Sequence, residues 1–241
     1  MESPYNSPVP PRRAEISFDS ISEAWKYLQP NLGPWIGATL VYALITAALS
    51  VLQTRLSPPD ANGIPQLGAA YWLTTLVSFV VGQFLIGGLI RMAIATVRTG
   101  RADFGLVFSA FDVLPALIGA GILTTIASFF GFLLCIVPGL LLLGLFLFVT
   151  PLIVDQRKGA LDAMSTSFNT LKPHMWMALL YLLVIGLLAG AGVLACGVGV
   201  LVTLPLALLA IAVTYRDFFL GGAAPSEGPF VPTAPIADPR G

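Results

Sequence analysis

The chain has 241 residues, 56% of them hydrophobic and only 10% charged, with zero formal net charge and a mean hydropathy of +0.88. A soluble globular chain carries about 25% charged residues, so this composition would leave large apolar patches in water; a multi-span membrane protein is the economical reading. Zero net charge argues against a nucleic-acid partner, the single histidine, His174, cannot build a multi-histidine metal site, and two cysteines, Cys135 and Cys196, exclude a cysteine-rich secreted scaffold.

Residues 1–15 hold Pro4, Pro8, Pro10 and Pro11 and the pair Arg12-Arg13. They lack the apolar core and small-residue cleavage site of a signal peptide, and are expected to be a disordered cytoplasmic tail. Residues 16–30 form a first amphipathic elbow. Phe18, Ile21, Trp25 and Leu28 fall at helical spacing on one face and Asp19, Ser22, Glu23 and Lys26 on the others, as in a helix lying in the headgroup plane. A first span follows at about 35–53, then a polar loop with Pro58, Pro59, Asp60, Asn62, Gly63 and Pro65, then a second span at 69–90 ending at Arg91. Gly100 is the expected helix stop.

A second elbow at 103–114 repeats the pattern with Phe104, Val107, Phe111 and Leu114. Two spans follow, at 115–136 and 138–154, joined by an expected tight turn at Pro138-Gly139. A third elbow at 160–172 carries Leu161, Met164, Phe168 and Leu171 at the same offsets, and introduces spans at 175–196 and 198–215, the last with Pro205 as an expected kink. Residues 221–241 are rich in Gly, Ala and Pro and are expected to be a second disordered cytoplasmic tail. The domain at 16–220 is thus expected to be an all-α integral membrane bundle of six transmembrane helices. It would be built from three hairpin repeats, each preceded by an interfacial elbow helix. Chance matching among abundant apolar residues is the competing explanation of the repeat. If the repeat is real, the hairpins are parallel repeats about an axis along the membrane normal rather than inverted ones.

Orientation follows from the cations. With the N-terminus inside, the inner segments collect Arg12, Arg13, Lys26, Arg91, Arg98, Arg101, Arg157, Lys158, Lys172, Arg216 and Arg240, and the outer loops only Arg55. The positive-inside bias then puts both termini on the cytoplasmic side of the membrane.

The central part of every span lacks an ionisable residue, which weighs against a proton relay or ion-coupled carrier. Gln83 either meets a polar substrate or partner helix, or bonds across the bundle. Thr124, Thr125 and Ser128 with Thr74, Thr75 and Ser78 either line a polar path or back-bond to their own helices. Gly186 with Gly190, and Ala116 with Ala120, fit close helix crossings. Arg91, Arg98, Arg101 and His174 are candidate lipid-headgroup contacts, although the arginines already serve as topology signals and His174 also reads as a plain interfacial residue. Cys135 and Cys196 either join two hairpins on the outer side or remain separate thiols. No paired-His motif, nucleophile elbow, phosphate loop or dinucleotide fingerprint occurs, so no catalytic residue, metal or cofactor is expected.

Several short motifs together resemble a group of bacterial multi-pass proteins related to the membrane domain of some glycerophosphoryl diester phosphodiesterases. They are Glu23-Ala24-Trp25, Gly100 through Phe104 to Phe108, Pro138-Gly139, and Asp155 followed by Ala163 and Ser167. The last runs from Cys196-Gly197-Val198-Gly199 through Pro205 to Tyr215-Arg216-Asp217. The resemblance spans roughly 16–220. It implies a six-helix membrane domain and carries over no catalytic residue, because the phosphodiesterase chemistry belongs to a separate soluble domain. The expected function is a non-enzymatic scaffold or accessory, lipid-interacting module. Its partners would be the bilayer and a membrane protein or a second copy. The alternative is a transporter or channel for a neutral or amphipathic small molecule.

Overall fold

A computed structural model describes residues 16–60, 64, 66–194 and 199–221. The expected tails, 1–15 and all but the first residue of 221–241, lie outside the described residues, as does Cys196. Among the described residues the regular structure is entirely helical: α1 (Asp19–Leu28), α2 (Leu32–Leu56), α3 (Ala69–Thr99), α4 (Leu114–Leu134), α5 (Ile136–Leu145), α6 (Val149–Gln156), α7 (Ala160–Leu171), α8 (Met175–Leu194) and α9 (Val200–Phe219). Short 3-10 segments occupy Gln29–Asn31, Phe104–Phe108, Ala110–Val113 and Lys172–His174. Six stretches among the described residues are long and apolar enough to cross a membrane: Asp19–Leu56, Ala69–Thr99, Phe104–Leu134, Ile136–Gln156, Ala160–Gly192 and Val200–Phe219.

Helix α9 is the axis. It packs against α1, α2, α3 and α8, and its buried positions include Ala207, Ala210 and Ala212 among Leu208, Leu209 and Val213. Small side chains let helix backbones approach closely, which matters where lipid removes the usual hydrophobic drive between helices. Helix α3 is the second pillar, touching α2, α4, α6 and α9. At 31 residues it is about 46 Å long, well beyond a ~30 Å hydrocarbon core. Its C-terminal turns therefore carry Arg91 and Arg98 out to a polar end of the bundle, shared by the ends of α6 and α9. Gly100, at φ +73°, closes α3 by donating its N–H to the Thr96 carbonyl, a left-handed stop that glycine takes without strain. Large apolar side chains on the flanks, among them Leu44, Trp72, Phe129, Leu133 and Leu187, are exposed, as a lipid-facing surface requires.

Three segments pack on the helices that bear the polar end. Helix α1 packs on α9, the Phe104–Phe108 segment on α3, and α7 on α6. Helix α1 buries Ser20, Ala24 and Leu28; α7 buries Ala163, Ser167 and Leu171 at the same spacing. The face against the protein is thus the small one. Phe18 and Trp25, expected to share the apolar face with Leu28, are exposed, while Leu28 alone of the three is buried.

The structure departs from expectation in three places. The segment expected as an elbow helix at 103–114 is two 3-10 turns. Asp103 takes the Gly105 N–H on its carboxylate, Ser109 Oγ donates to the Leu106 carbonyl, and the Ser109 carbonyl accepts from Arg91, so these groups are spent outside an α-helical ladder. The turn expected at Pro138-Gly139 is instead made at Cys135, whose backbone is extended. Pro138 sits in the first turn of α5, where its missing N–H has no helical partner to lose. The fourth span, expected at 138–154, is present as the apolar stretch Ile136–Gln156, but its helix is interrupted at 146–148. Pro151 cannot donate to the Leu147 carbonyl, and the freed backbone turns there.

That interruption is repaired from α7. Ser167 Oγ donates to the Leu145 carbonyl at 2.7 Å and accepts the Phe148 N–H at 3.2 Å, and Ser167 is fully buried. Ser167→Ala strands both backbone groups and is expected to cost about 1–3 kcal/mol. Thermal unfolding in detergent would show it as a lowered Tm, and an unchanged Tm would mean that the break satisfies itself.

Candidate functional site

The polar end holds an almost continuous layer of charged and hydroxyl groups. In its first cluster Arg216, whose side chain is 3% exposed, donates from Nη1 to Glu23 (2.7 Å) and to the Tyr27 hydroxyl (3.3 Å). Its Nη2 and Nε bond Asp217 at 2.7 and 3.0 Å. The guanidinium fork suits this crowded role, because it serves several acceptors at once from one plane. Just inside it, the Tyr181 hydroxyl shares a hydrogen bond with Ser20 (2.9 Å) and accepts from Thr214 (2.8 Å), tying α1, α8 and α9. Asn31 joins the layer by donating to the carbonyls of Tyr27 and Gly100 and accepting the Ala102 N–H.

The second cluster lies between α3, α6 and the 3-10 turns. Arg91 donates to the Ser109 carbonyl and pairs with Asp112 at 3.0 Å, and Arg157 reaches the same carboxylate at 3.0 Å. Arg98 pairs with Asp155 at 2.7 Å, and the Tyr215 hydroxyl donates to that carboxylate at 2.9 Å while accepting from Gln156. Beside these groups a cavity of about 230 Å³ opens, lined by Arg91, Ile94, Arg98, Leu106, Val154 and Asp155.

One pattern is common to both clusters and to a third pair, Lys158 with Thr166. Glu23, Ser109 and Thr166 each stand five residues after Phe18, Phe104 and Leu161. Each accepts a hydrogen bond from a cation outside its own segment: Arg216, Arg91 and Lys158 respectively. Sequence reasoning missed this, because it read these cations as markers of membrane side, and Arg91 also as a lipid-headgroup contact, and gave none of them a partner within the protein. Equal offsets of a polar acceptor within the three segments were the available signal.

The other residues singled out from sequence do not converge. Gln83 packs against Gly121, where an added Cβ would overlap its amide. Thr125 is exposed and back-bonds to the Gly121 carbonyl, as in the structural alternative above. Ser128, one turn on, is buried, and its Oγ has no partner among the described residues; Thr124 is half-buried. His174 meets the Phe218 ring edge-on at 6.2 Å, and Arg101 is exposed. Cys135 is exposed at the α4–α5 turn. Among the described residues no group of three or more His, Cys, Asp or Glu side chains is placed to hold a metal ion.

Six apolar helical stretches bound at one end by this layer define a multi-pass membrane protein. The chain is distantly similar to the uncharacterized proteins Rv2560 of Mycobacterium tuberculosis and Mb2590 of Mycobacterium bovis. It is 24% identical to each over 239 residues, which cover 89% of this chain and 72% of theirs. No family model and no solved structure matches it.

Proposed function

We propose that the chain is a non-enzymatic scaffold or accessory module of a bacterial cytoplasmic membrane, acting through the lipid-exposed faces of three interfacial elbows. The observation that carries this reading is the way the elbow segments divide their surfaces. They press small residues onto the bundle and leave Phe18, Trp25, Phe104, Phe108 and Phe111 exposed at the polar end, Phe111 to 68%. Aromatic rings beside charged groups suit the headgroup region. Three like hairpins are supported by the equal offsets of Glu23, Ser109 and Thr166 and by the cyclic packing of each elbow on the preceding pair. The cation distribution supports cytoplasmic termini. The resemblance to phosphodiesterase membrane domains fits an anchor for a soluble partner.

Purification of the full chain in a mild detergent tests this. Copurifying lipid or a bound protein is expected; a strictly monomeric chain carrying neither would overturn the scaffold reading. Transport of a neutral or amphipathic small molecule is the second reading, favoured by the interrupted α5–α6 span, since discontinuous helices often form transporter sites. Gln83→Leu separates the two: lost flux in proteoliposomes with intact folding selects transport, and no flux from the parent chain rejects it.

A further inference from the structure

We infer that the cavity between α3, α6 and the Phe104–Phe108 turn binds the phosphate of an anionic glycerophospholipid; this rests on the lipid-interacting reading above. The walls are apolar where Ile94, Ala95, Leu106 and Val154 meet; Arg91 and Arg98 stand two helical turns apart on α3, and Thr99 and the Asp155 carboxylate, paired with Arg98, complete the lining. An apolar wall with cations beside it fits an amphipathic anion better than a wholly polar one. At about 230 Å³ the space takes a glycerophosphate-sized group, so the acyl chains would run outside along the lipid-facing flank.

The local charge has the right sign. Arg91, Arg98 and Arg157 share the two carboxylates of Asp112 and Asp155, which leaves one positive charge unmatched in the cluster. Among the described contacts Arg98 commits only Nη2, to Asp155, and its side chain is 45% exposed. Its Nε and Nη1 can therefore serve a phosphate oxygen without breaking the existing pair. Arg91 is the anchoring partner, held to Ser109 and Asp112, and fixes the Leu106 side of the cavity. The polar end is also where α3 leaves the hydrocarbon, at the depth of lipid phosphates.

The test uses the full chain in phosphatidylcholine nanodiscs doped with phosphatidylglycerol, with retained lipid read by native mass spectrometry after release. Phosphatidylglycerol is expected to be retained at least tenfold over phosphatidylcholine. Arg98→Gln should abolish the preference, Arg98→Lys should keep part of it, and Ala95→Phe should abolish it by filling the cavity with every charge in place. Helical content and Tm of each variant show that it is folded. Equal retention of the two lipids by the parent chain overturns the inference, as does full selectivity in Ala95→Phe. Displacement of the bound lipid by millimolar soluble glycerol phosphate also overturns it, since the site would then belong to a free phosphate ester. If lipid of both classes, or a protein partner, is still retained without preference, the scaffold reading stands and only this site falls.

Discussion

Arg216→Ala is expected to destabilise the folded chain by about 3 kcal/mol, near the lower end of the range for breaking a buried ion pair from one side. The substitution removes the group that satisfies Glu23, Tyr27 and Asp217 together and leaves two carboxylates facing each other in a poorly hydrated pocket. Glu23 and Asp217 side chains keep some exposure, at 21% and 16%, so water can relieve part of the loss. The effect should be local before it is global. Helix α1 is held to α9 by this cluster and by the Ser20–Tyr181–Thr214 hydroxyls, so its release should come first. Limited proteolysis near Asp19–Leu28 should accelerate before the far-ultraviolet circular dichroism melts. Arg216→Met combined with Glu23→Gln and Asp217→Asn should be less damaging than Arg216→Ala alone, because it removes the stranded charges with their partner. An unaltered Tm in Arg216→Ala would show that the cluster adds nothing to docking α1.

The apolar spans could be read from the sequence because bilayer thickness sets a length that few other structures demand, and α2 as far as Thr54, α4 and α8 carry no charge through that length. Which face of α1 meets the protein was not legible. Hydrophobic periodicity groups Phe18, Ile21, Trp25 and Leu28 on one face for the headgroup plane and says nothing of a face for the bundle. In a bilayer large side chains can remain in lipid while Ser20 and Ala24 meet the neighbouring helix. The broken fourth span had a local signal in Pro151, but its repair by Ser167 depends on α7 lying beside α6, a tertiary fact. The candidate polar path failed to assemble for a similar reason: Thr125 is exposed and turns its hydroxyl back to the Gly121 carbonyl, while the Gln83 amide packs against Gly121. The arginines were legible as cations and as topology signals. Their carboxylate partners, Asp112 for Arg91 and Asp155 for Arg98, come from different elements, and only the fold brings them into one layer around a cavity.

Gly88→Ala is expected to have the other large effect. A Cβ at Gly88 would overlap the carbonyl group of Val107, and the Val107 Cα would lie only 2.8 Å away. The obstruction is backbone, so no side-chain rotation relieves it. Either α3 or the Phe104–Phe108 turn must move. That turn is held by the Asp103 carboxylate on the Gly105 N–H and by Arg91 on the Ser109 carbonyl, and Val107 itself is fully buried against α3. Overpacking in a close-packed core usually costs about 1–3 kcal/mol, and an unyielding backbone contact belongs at or above the top of that range. A marginally stable domain can lose most of its folded population to such a change. Gly82→Ala in the same helix is the control, because nothing lies within 4 Å of the added methyl group and alanine favours helix. The pair should separate cleanly, with Gly82→Ala near or slightly above the parent Tm and Gly88→Ala well below it. Equal melting of the two variants would mean that the Phe104–Phe108 turn does not sit against α3 as described. In that event the anionic-lipid cavity, whose wall includes Leu106 on the same turn, would lose its shape as well.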